Sequence, residues 1–214
     1  PILFMKMGVL FLYGWWIVIN HVDVQVEGFP LTRLKGWYVI GLFPVMLVDL
    51  SLQIGYFTGL DPSVISSCCG VVFEVGAEGF GSSVASLPPA LMRVLLAGFI
   101  GLLIVSPPLL RRNSHPIGKI AYAWGSFVGL IVGLAAVVAF VAPYVYLMPA
   151  LHCPFIFLDQ EHFNYGYCVY VPLFGASFLG TSLGILVSIG KWFPATLPTT
   201  ERMGDAFLRN AGML

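Results

Sequence analysis

The sequence has 214 residues, of which 58% are hydrophobic and 9% charged, and its ten basic side chains balance its ten acidic ones. A soluble domain carries roughly 25% charged residues, so this composition excludes an ordinary water-soluble domain and is typical of a chain surrounded by lipid. The neutral charge balance gives no reason to expect the basic surface of a DNA- or RNA-binding protein.

Five stretches of the sequence are long and apolar enough to cross a membrane. A span needs roughly 20 apolar residues, because in hydrocarbon each backbone N–H and C=O group must be hydrogen-bonded within its own helix. We therefore predict an all-α, polytopic transmembrane helix bundle that forms one membrane domain over residues 1–214. Its spans fall at about 2–20, 37–57, 91–110, 120–146 and 169–192.

The basic residues predict the orientation of these spans, because Lys and Arg concentrate in short cytoplasmic loops. With the N-terminus outside and the C-terminus inside, eight of the ten lie on the cytoplasmic side: Arg33, Lys35, Arg111, Arg112, Lys119, Lys191, Arg202 and Arg209. Lys6 and Arg93 remain outside, each near enough to a helix end for its side chain to reach the interface. Two long outer loops follow, at 58–90 and 147–167, in a multi-pass protein expected in a bacterial inner membrane.

The second predicted span carries a carboxylate, Asp49, near its middle. An ionised carboxylate at that depth costs at least about 2.5 kcal/mol unless it meets water or a partner. Gln53 lies one helical turn further and shares its face. Two interpretations remain open. The pair either locks this helix to a neighbour, or serves a function such as a proton path or a hydrogen bond to a quinone head group.

Small residues recur every four positions in the last two spans. Gly125, Gly129 and Gly133 form one row, and Gly180 and Gly184 belong to another. Rows of this kind allow two helix backbones to approach closely. We predict that these faces pack against neighbouring helices, including those of other membrane subunits, and that the remaining apolar surface contacts lipid.

Each predicted outer loop holds two cysteines, Cys68 with Cys69 and Cys153 with Cys168. Extracytoplasmic compartments are oxidising, so these thiols are expected to be bridged, redox-active or bound to metal. A bond between the adjacent Cys68 and Cys69 would be strained and easily reduced. The four-helix, quinone-linked thiol oxidases of the bacterial periplasm also have one cysteine pair in each of two outer loops, so this chain resembles them in the arrangement of its cysteines. Their first pair is Cys-x-x-Cys, whereas this chain has Cys-Cys.

The second outer loop also offers ligands for a metal. Five candidates fall within eleven residues: His152, Cys153, Asp159, Glu161 and His162. Thiolate together with imidazole suits copper or zinc. We further expect the two outer loops to meet, because both must cover the same end of one small bundle, which would bring Cys68 and Cys69 near this group.

The leading functional hypothesis is thiol- or metal-linked redox chemistry, or electron transfer, at the outer face of the membrane. The first alternative is a non-catalytic subunit of a larger respiratory or photosynthetic membrane complex, and the second is a transporter. The sequence contains no phosphate-binding loop and no hydrolase or zinc-protease motif, so those soluble enzyme chemistries are not expected.

Overall fold

The computed structural model describes residues 2–59, 80–112, 115–147, 152–155, 158 and 164–213. All regular secondary structure within them is helical. The α-helices are α1 (Ile2–Val24), α2 (Thr32–Thr58), α3 (Phe80–Ala85), α4 (Pro89–Arg112), α5 (Pro116–Ala136), α6 (Ala142–Tyr146), α7 (Tyr165–Trp192) and α8 (Leu197–Ala211). A π-helical segment (Val137–Val141) joins α5 to α6, and a 3₁₀ turn (Pro194–Thr196) precedes α8.

Five helical stretches in the described chain are long and apolar enough to cross a membrane, which confirms the predicted transmembrane bundle. They are Met5–Val24, Thr32–Thr58, Pro89–Arg112, Pro116–Val145 and Tyr165–Trp192. The second begins earlier than the sequence pattern suggests, because the polar residues Thr32, Arg33 and Lys35 continue the same helix. The fifth likewise begins at Tyr165, four residues before its apolar stretch becomes continuous.

The helices form two compact units, one of Pro1–Ile65 with Ile185–Asp205 and one of Ser66–Gly184 with Ala206–Leu214. In the first unit, α1 and α2 pack side by side along their length. The Tyr38 hydroxyl donates a hydrogen bond to the Leu12 carbonyl over 2.9 Å, and Lys35 Nζ donates to Asn20 Oδ1 over 2.9 Å. These contacts fix the antiparallel register of the two helices.

The turn between α1 and α2 is closed by one fully buried carboxylate, Asp23. Asp23 Oδ1 accepts a hydrogen bond from the Leu31 backbone N–H over 2.6 Å, and Asp23 Oδ2 lies 2.6 Å from Lys35 Nζ. Gly28 has a φ of +84°, a left-handed conformation that glycine adopts without strain. The turn between α1 and α2 is therefore built around the Asp23 carboxylate, whose charge is neutralised by Lys35.

In the second unit, the two glycine rows lie in helix contacts within this chain. A Cβ atom built on Gly125 would lie 2.8 Å from Leu102, and one on Gly133 would lie 2.5 Å from Leu173. Cβ atoms on Gly129, Gly180 and Gly184 would likewise crowd Phe99, Ser126 and Ala123, respectively. The predicted close packing is present within the chain, where helices α4, α5 and α7 supply the contacts. The expectation that these faces also contact other membrane subunits stays a prediction.

Candidate functional site

His152 is held against an interruption in the fourth span. At the end of the π-helical segment, the Ala142 backbone N–H donates to the Val137 carbonyl, five residues back. In an α-helix that N–H would donate to the Val138 carbonyl, four residues back. The next N–H along the chain would come from residue 143, which is proline and has none. The Val138 carbonyl is thus left without a helical donor, and His152 Nδ1 lies 3.1 Å from it.

This contact determines which ring nitrogen of His152 carries a proton. A carbonyl oxygen can only accept a hydrogen bond, so Nδ1 must bear the hydrogen. In the neutral imidazole, Nε2 then presents a lone pair, which can bind a metal ion or accept a proton. The His152 side chain is 7% exposed, and its ring is therefore fixed in both tautomer and position.

Cys153 follows His152 and is also buried, with 1% of its surface exposed. The chain next to it is tied down, because the Tyr170 hydroxyl of α7 donates a hydrogen bond to the Pro154 carbonyl. The Leu158 backbone N–H donates to the Phe155 carbonyl over 3.0 Å. The short described stretch 152–155 therefore lies fixed against the helices of its unit.

Cys168 differs from Cys153 in its surroundings. It lies in the first turn of α7, is exposed, and forms no disulfide bond with Cys153. Tyr170, two residues further along α7, points to Pro154, and side chains two apart on a helix point in different directions. The structure thus places Cys153 in the interior and Cys168 at the surface.

The rest of the predicted cluster lies outside the described residues: Cys68, Cys69, Asp159, Glu161 and His162. Among the described residues, no three His, Cys, Asp or Glu side chains are arranged to hold a metal ion. The metal cluster and the approach of Cys68 and Cys69 to His152 remain predictions. Parts of both predicted outer loops do lie near one another, since α3 packs against the π-helical segment that also receives His152.

Asp49 and Gln53, the predicted cofactor-binding pair, contact each other as expected from their spacing. Gln53 Nε2 donates to Asp49 Oδ2 over 2.9 Å. The same oxygen accepts from Lys6 Nζ over 2.7 Å, an ion pair between α1 and α2. Lys6 therefore has a partner that the sequence pattern does not reveal, the carboxylate of the neighbouring span. The expectation that Lys6 lies near the outer interface stays a prediction.

Arg93 also has a partner that the sequence pattern does not reveal. Its guanidinium carbon lies 5.5 Å from the centre of the Phe140 ring, within the range of a cation–π contact. Phe140 belongs to the π-helical segment. Arg93 thus packs on the same π-helical segment whose Val138 carbonyl is hydrogen-bonded to His152.

Sequence reasoning missed three further contributors to these sites: Lys6, Tyr170 and Val138. Pro143 was a usable signal, since a proline within a span must leave a carbonyl without its helical donor. For Lys6 the signal was weaker, because a lysine near a helix end usually reaches the interface.

A surface cavity of about 520 Å³ in the first unit is lined by Gln25, Pro198, Thr199 and Arg202. Arg202 Nη2 donates to Gln25 Oε1 over 3.2 Å at its edge. None of the predicted site residues lines this cavity, so it gives no support to the redox or metal hypotheses.

The chain matches no known family, no characterised protein and no solved structure.

Proposed function

We propose that the protein binds a copper or zinc ion at the outer face of the membrane, with His152 and Cys153 as ligands, and takes part there in metal- or thiol-linked redox chemistry. The observation that carries this proposal is the hydrogen bond from His152 Nδ1 to the Val138 carbonyl. Histidines that bind metals usually donate their second ring N–H to a backbone carbonyl or carboxylate, which fixes the ring and leaves the other nitrogen as ligand.

The donor set supports a soft metal. Imidazole nitrogen together with thiolate sulfur is the combination that zinc and copper prefer over magnesium or calcium. His152 and Cys153 would provide two donor atoms, and a closed zinc site needs four. The remaining candidates are the other members of the predicted cluster: Cys68, Cys69, Asp159, Glu161 and His162.

The redox part of the proposal depends on which metal is bound and on the state of the thiols. Copper cycles between Cu(I) and Cu(II) by one electron, whereas zinc has no redox chemistry of its own. Two thiols release two electrons and two protons when they form a disulfide. Cys68 and Cys69 are suited to such a cycle, because a bond between adjacent cysteines is strained and readily reduced.

The test separates the two nitrogens of His152. In His152→Asn, the side-chain amide can still donate to the Val138 carbonyl but has no counterpart of Nε2, whereas His152→Ala loses both. We expect the purified wild-type protein to contain about one copper or zinc ion per chain by elemental analysis. His152→Asn should fold normally and lose the metal. His115→Asn, which alters an exposed histidine before α5, is the matched control and should retain it.

Cysteine variants complete the experiment. Cys153→Ser should reduce metal content, whereas Cys168→Ser, at the exposed position, should leave it nearly unchanged. Thiols counted before and after reduction show whether disulfides are present. A wild-type protein with no stoichiometric metal and no reducible disulfide would overturn the proposal and favour the accessory-subunit or transporter hypotheses. Full metal content in His152→Asn would remove His152 from the site.

A further inference from the structure

The surface cavity of the first unit lies where two spans end. One of its lining residues directly follows the span Met5–Val24, and the other three follow the span Tyr165–Trp192, at the start of α8. Beyond the ends of its spans a membrane protein meets the lipid head groups, which extend a bilayer from about 30 Å of hydrocarbon to about 40–45 Å. The cavity volume of about 520 Å³ is within the range of small-molecule sites, roughly 300–1,000 Å³. Its place in the chain and its size therefore suit a lipid head group.

Arg202 brings a positive charge to this cavity. Its side chain is exposed, and Nη2 donates to an uncharged acceptor, Gln25 Oε1, over 3.2 Å. Among the described residues, no carboxylate is paired with Arg202. A guanidinium group has five N–H donors in a planar fork that matches two oxygens of a phosphate. The structure assigns one of the five, so four remain for a ligand with paired anionic oxygens.

The Gln25 side chain holds the guanidinium in place. Gln25 Nε2 lies 2.8 Å from His21 Nε2. Because Gln25 Oε1 accepts from Arg202, the amide nitrogen faces the histidine and donates to that ring nitrogen. Both ends of the amide are thus engaged, and α1 positions the Arg202 guanidinium beside the cavity without any ligand.

Thr199 adds a hydroxyl group to the lining. Its neighbours Thr196 and Thr200 donate their hydroxyls to the carbonyls of Phe193 and Leu197, whereas the Thr199 hydroxyl has no partner among the described residues. The described residues that line the cavity include no acidic side chain. A head group with an ammonium group of its own would find no counter-ion among them. The lining therefore favours a head group that carries only negative charge.

We propose that this cavity binds the phosphate of an anionic phospholipid, with Arg202 as its cationic contact, Thr199 as a hydroxyl contact and Gln25 positioning the guanidinium. The acyl chains lie along apolar side chains at the two span ends, where Val24 is 61% and Trp192 74% exposed. Tryptophan is enriched at this level of a membrane. The distribution of Lys and Arg predicts that these span ends are cytoplasmic, and the cytoplasmic leaflet carries anionic lipids.

The experiment measures lipid binding to the full chain by native mass spectrometry, with phosphatidylglycerol and phosphatidylcholine of identical acyl chains as matched ligands. We expect phosphatidylglycerol to bind about tenfold more tightly, the difference that one charge-assisted contact provides. Arg202→Gln should remove most of this preference. Arg209→Gln makes the same change of charge on an exposed arginine of α8 that does not line the cavity, and it should keep the preference.

Competition with millimolar inorganic phosphate distinguishes a lipid from a soluble phosphate compound. We expect phosphate to leave the lipid bound, because the acyl chains add contacts that free phosphate lacks. The proposal is overturned if the two lipids bind equally or if Arg202→Gln and Arg209→Gln behave alike. Displacement of phosphatidylglycerol by inorganic phosphate would also overturn it and identify a site for soluble phosphates. The comparison of the two lipids needs no mutation, so it decides the matter even if Arg202→Gln does not fold.

Discussion

Lys6 Nζ lies 2.7 Å from Asp49 Oδ2, so the first two spans are joined by an ion pair within their apolar stretches. The carboxylate is almost entirely buried, whereas the lysine side chain is about half exposed. An unpaired Asp or Lys near the middle of a span is costly. The pair therefore explains how both charges are tolerated, and it predicts an asymmetric response to mutation.

We expect Lys6→Met to destabilise the protein by about 3 kcal/mol, because it leaves the Asp49 carboxylate buried without its cation. Asp49→Leu should cost less, since the half-exposed lysine can turn away to the interface. The double variant should recover most of the loss. Equilibrium unfolding in mixed micelles measures all three, and the double-mutant cycle gives the coupling. Additive effects of the two single changes would show that the ion pair does not stabilise the protein.

For the turn between α1 and α2, we expect Asp23→Ala to destabilise the protein by about 3–5 kcal/mol. The change removes the acceptor of the Leu31 N–H and the carboxylate that pairs with Lys35, which keeps its hydrogen bond to Asn20. Asp23→Asn should cost less, because its side-chain oxygen can still accept from Leu31. Glu27→Ala alters an exposed acid in the same turn and serves as the control. The rate of proteolytic cleavage in the turn measures how often it opens. Equal cleavage rates for Asp23→Ala and Glu27→Ala would contradict the conclusion that Asp23 closes the turn.

Gly180 and Gly98 form a matched pair for testing helix packing. A Cβ atom at Gly180 would overlap Ser126, whereas one at Gly98 meets nothing within 4 Å. We expect Gly180→Ala to destabilise by about 1–3 kcal/mol through overpacking. Gly98→Ala should be neutral or slightly stabilising, because alanine is the better helix former. Thermal unfolding in detergent compares them.

Relief of the overlap gives the decisive control. Removing the Ser126 side chain in Gly180→Ala/Ser126→Gly should restore part of the lost stability, since the added methyl group then has room. If the second change only adds to the damage, α5 and α7 do not cross at these two residues.

The two described cysteines provide a test of topology. We expect a membrane-impermeant maleimide, applied to the outside of intact cells, to label a variant that retains only Cys168, because this thiol is exposed. A variant that retains only Cys153 should react only after unfolding, since the side chain is 1% exposed. If Cys168 is labelled only after the membrane is permeabilised, the N-out orientation predicted from the Lys and Arg residues is wrong.

The spans could be predicted from the sequence because hydropathy and length are properties of single segments. The partner of each span could not, since the 3.6-residue period shows which residues share a face but not which helix covers that face. Gly125 illustrates this point. Its row was recognisable as a packing surface, but its contact with Leu102 of the same chain became apparent only from the structure.

The candidate site was predictable in composition but not in geometry. The sequence identifies His152 and Cys153 as potential ligands, and it cannot show that the first is oriented by a carbonyl or that both are buried. Those facts depend on the π-helical segment and on where the loop returns to the helices. Asp49 was recognisable from its charge within an apolar stretch, whereas its partner Lys6 lies 43 residues away and required the register of α1 against α2.

The pairing of Lys6 with Asp49 also bears on how the first two spans enter the membrane during synthesis. Asp49 alone raises the cost of inserting α2 by about 2.5–3.5 kcal/mol, because it lies near the centre of its span. A hairpin of α1 and α2, already closed at its tight turn by Asp23, brings the two charges together and inserts them as a neutral pair. We therefore expect α1 and α2 to enter the bilayer as one unit. In a reporter fusion that carries both helices, α1 should insert less efficiently when Asp49 is replaced by Leu.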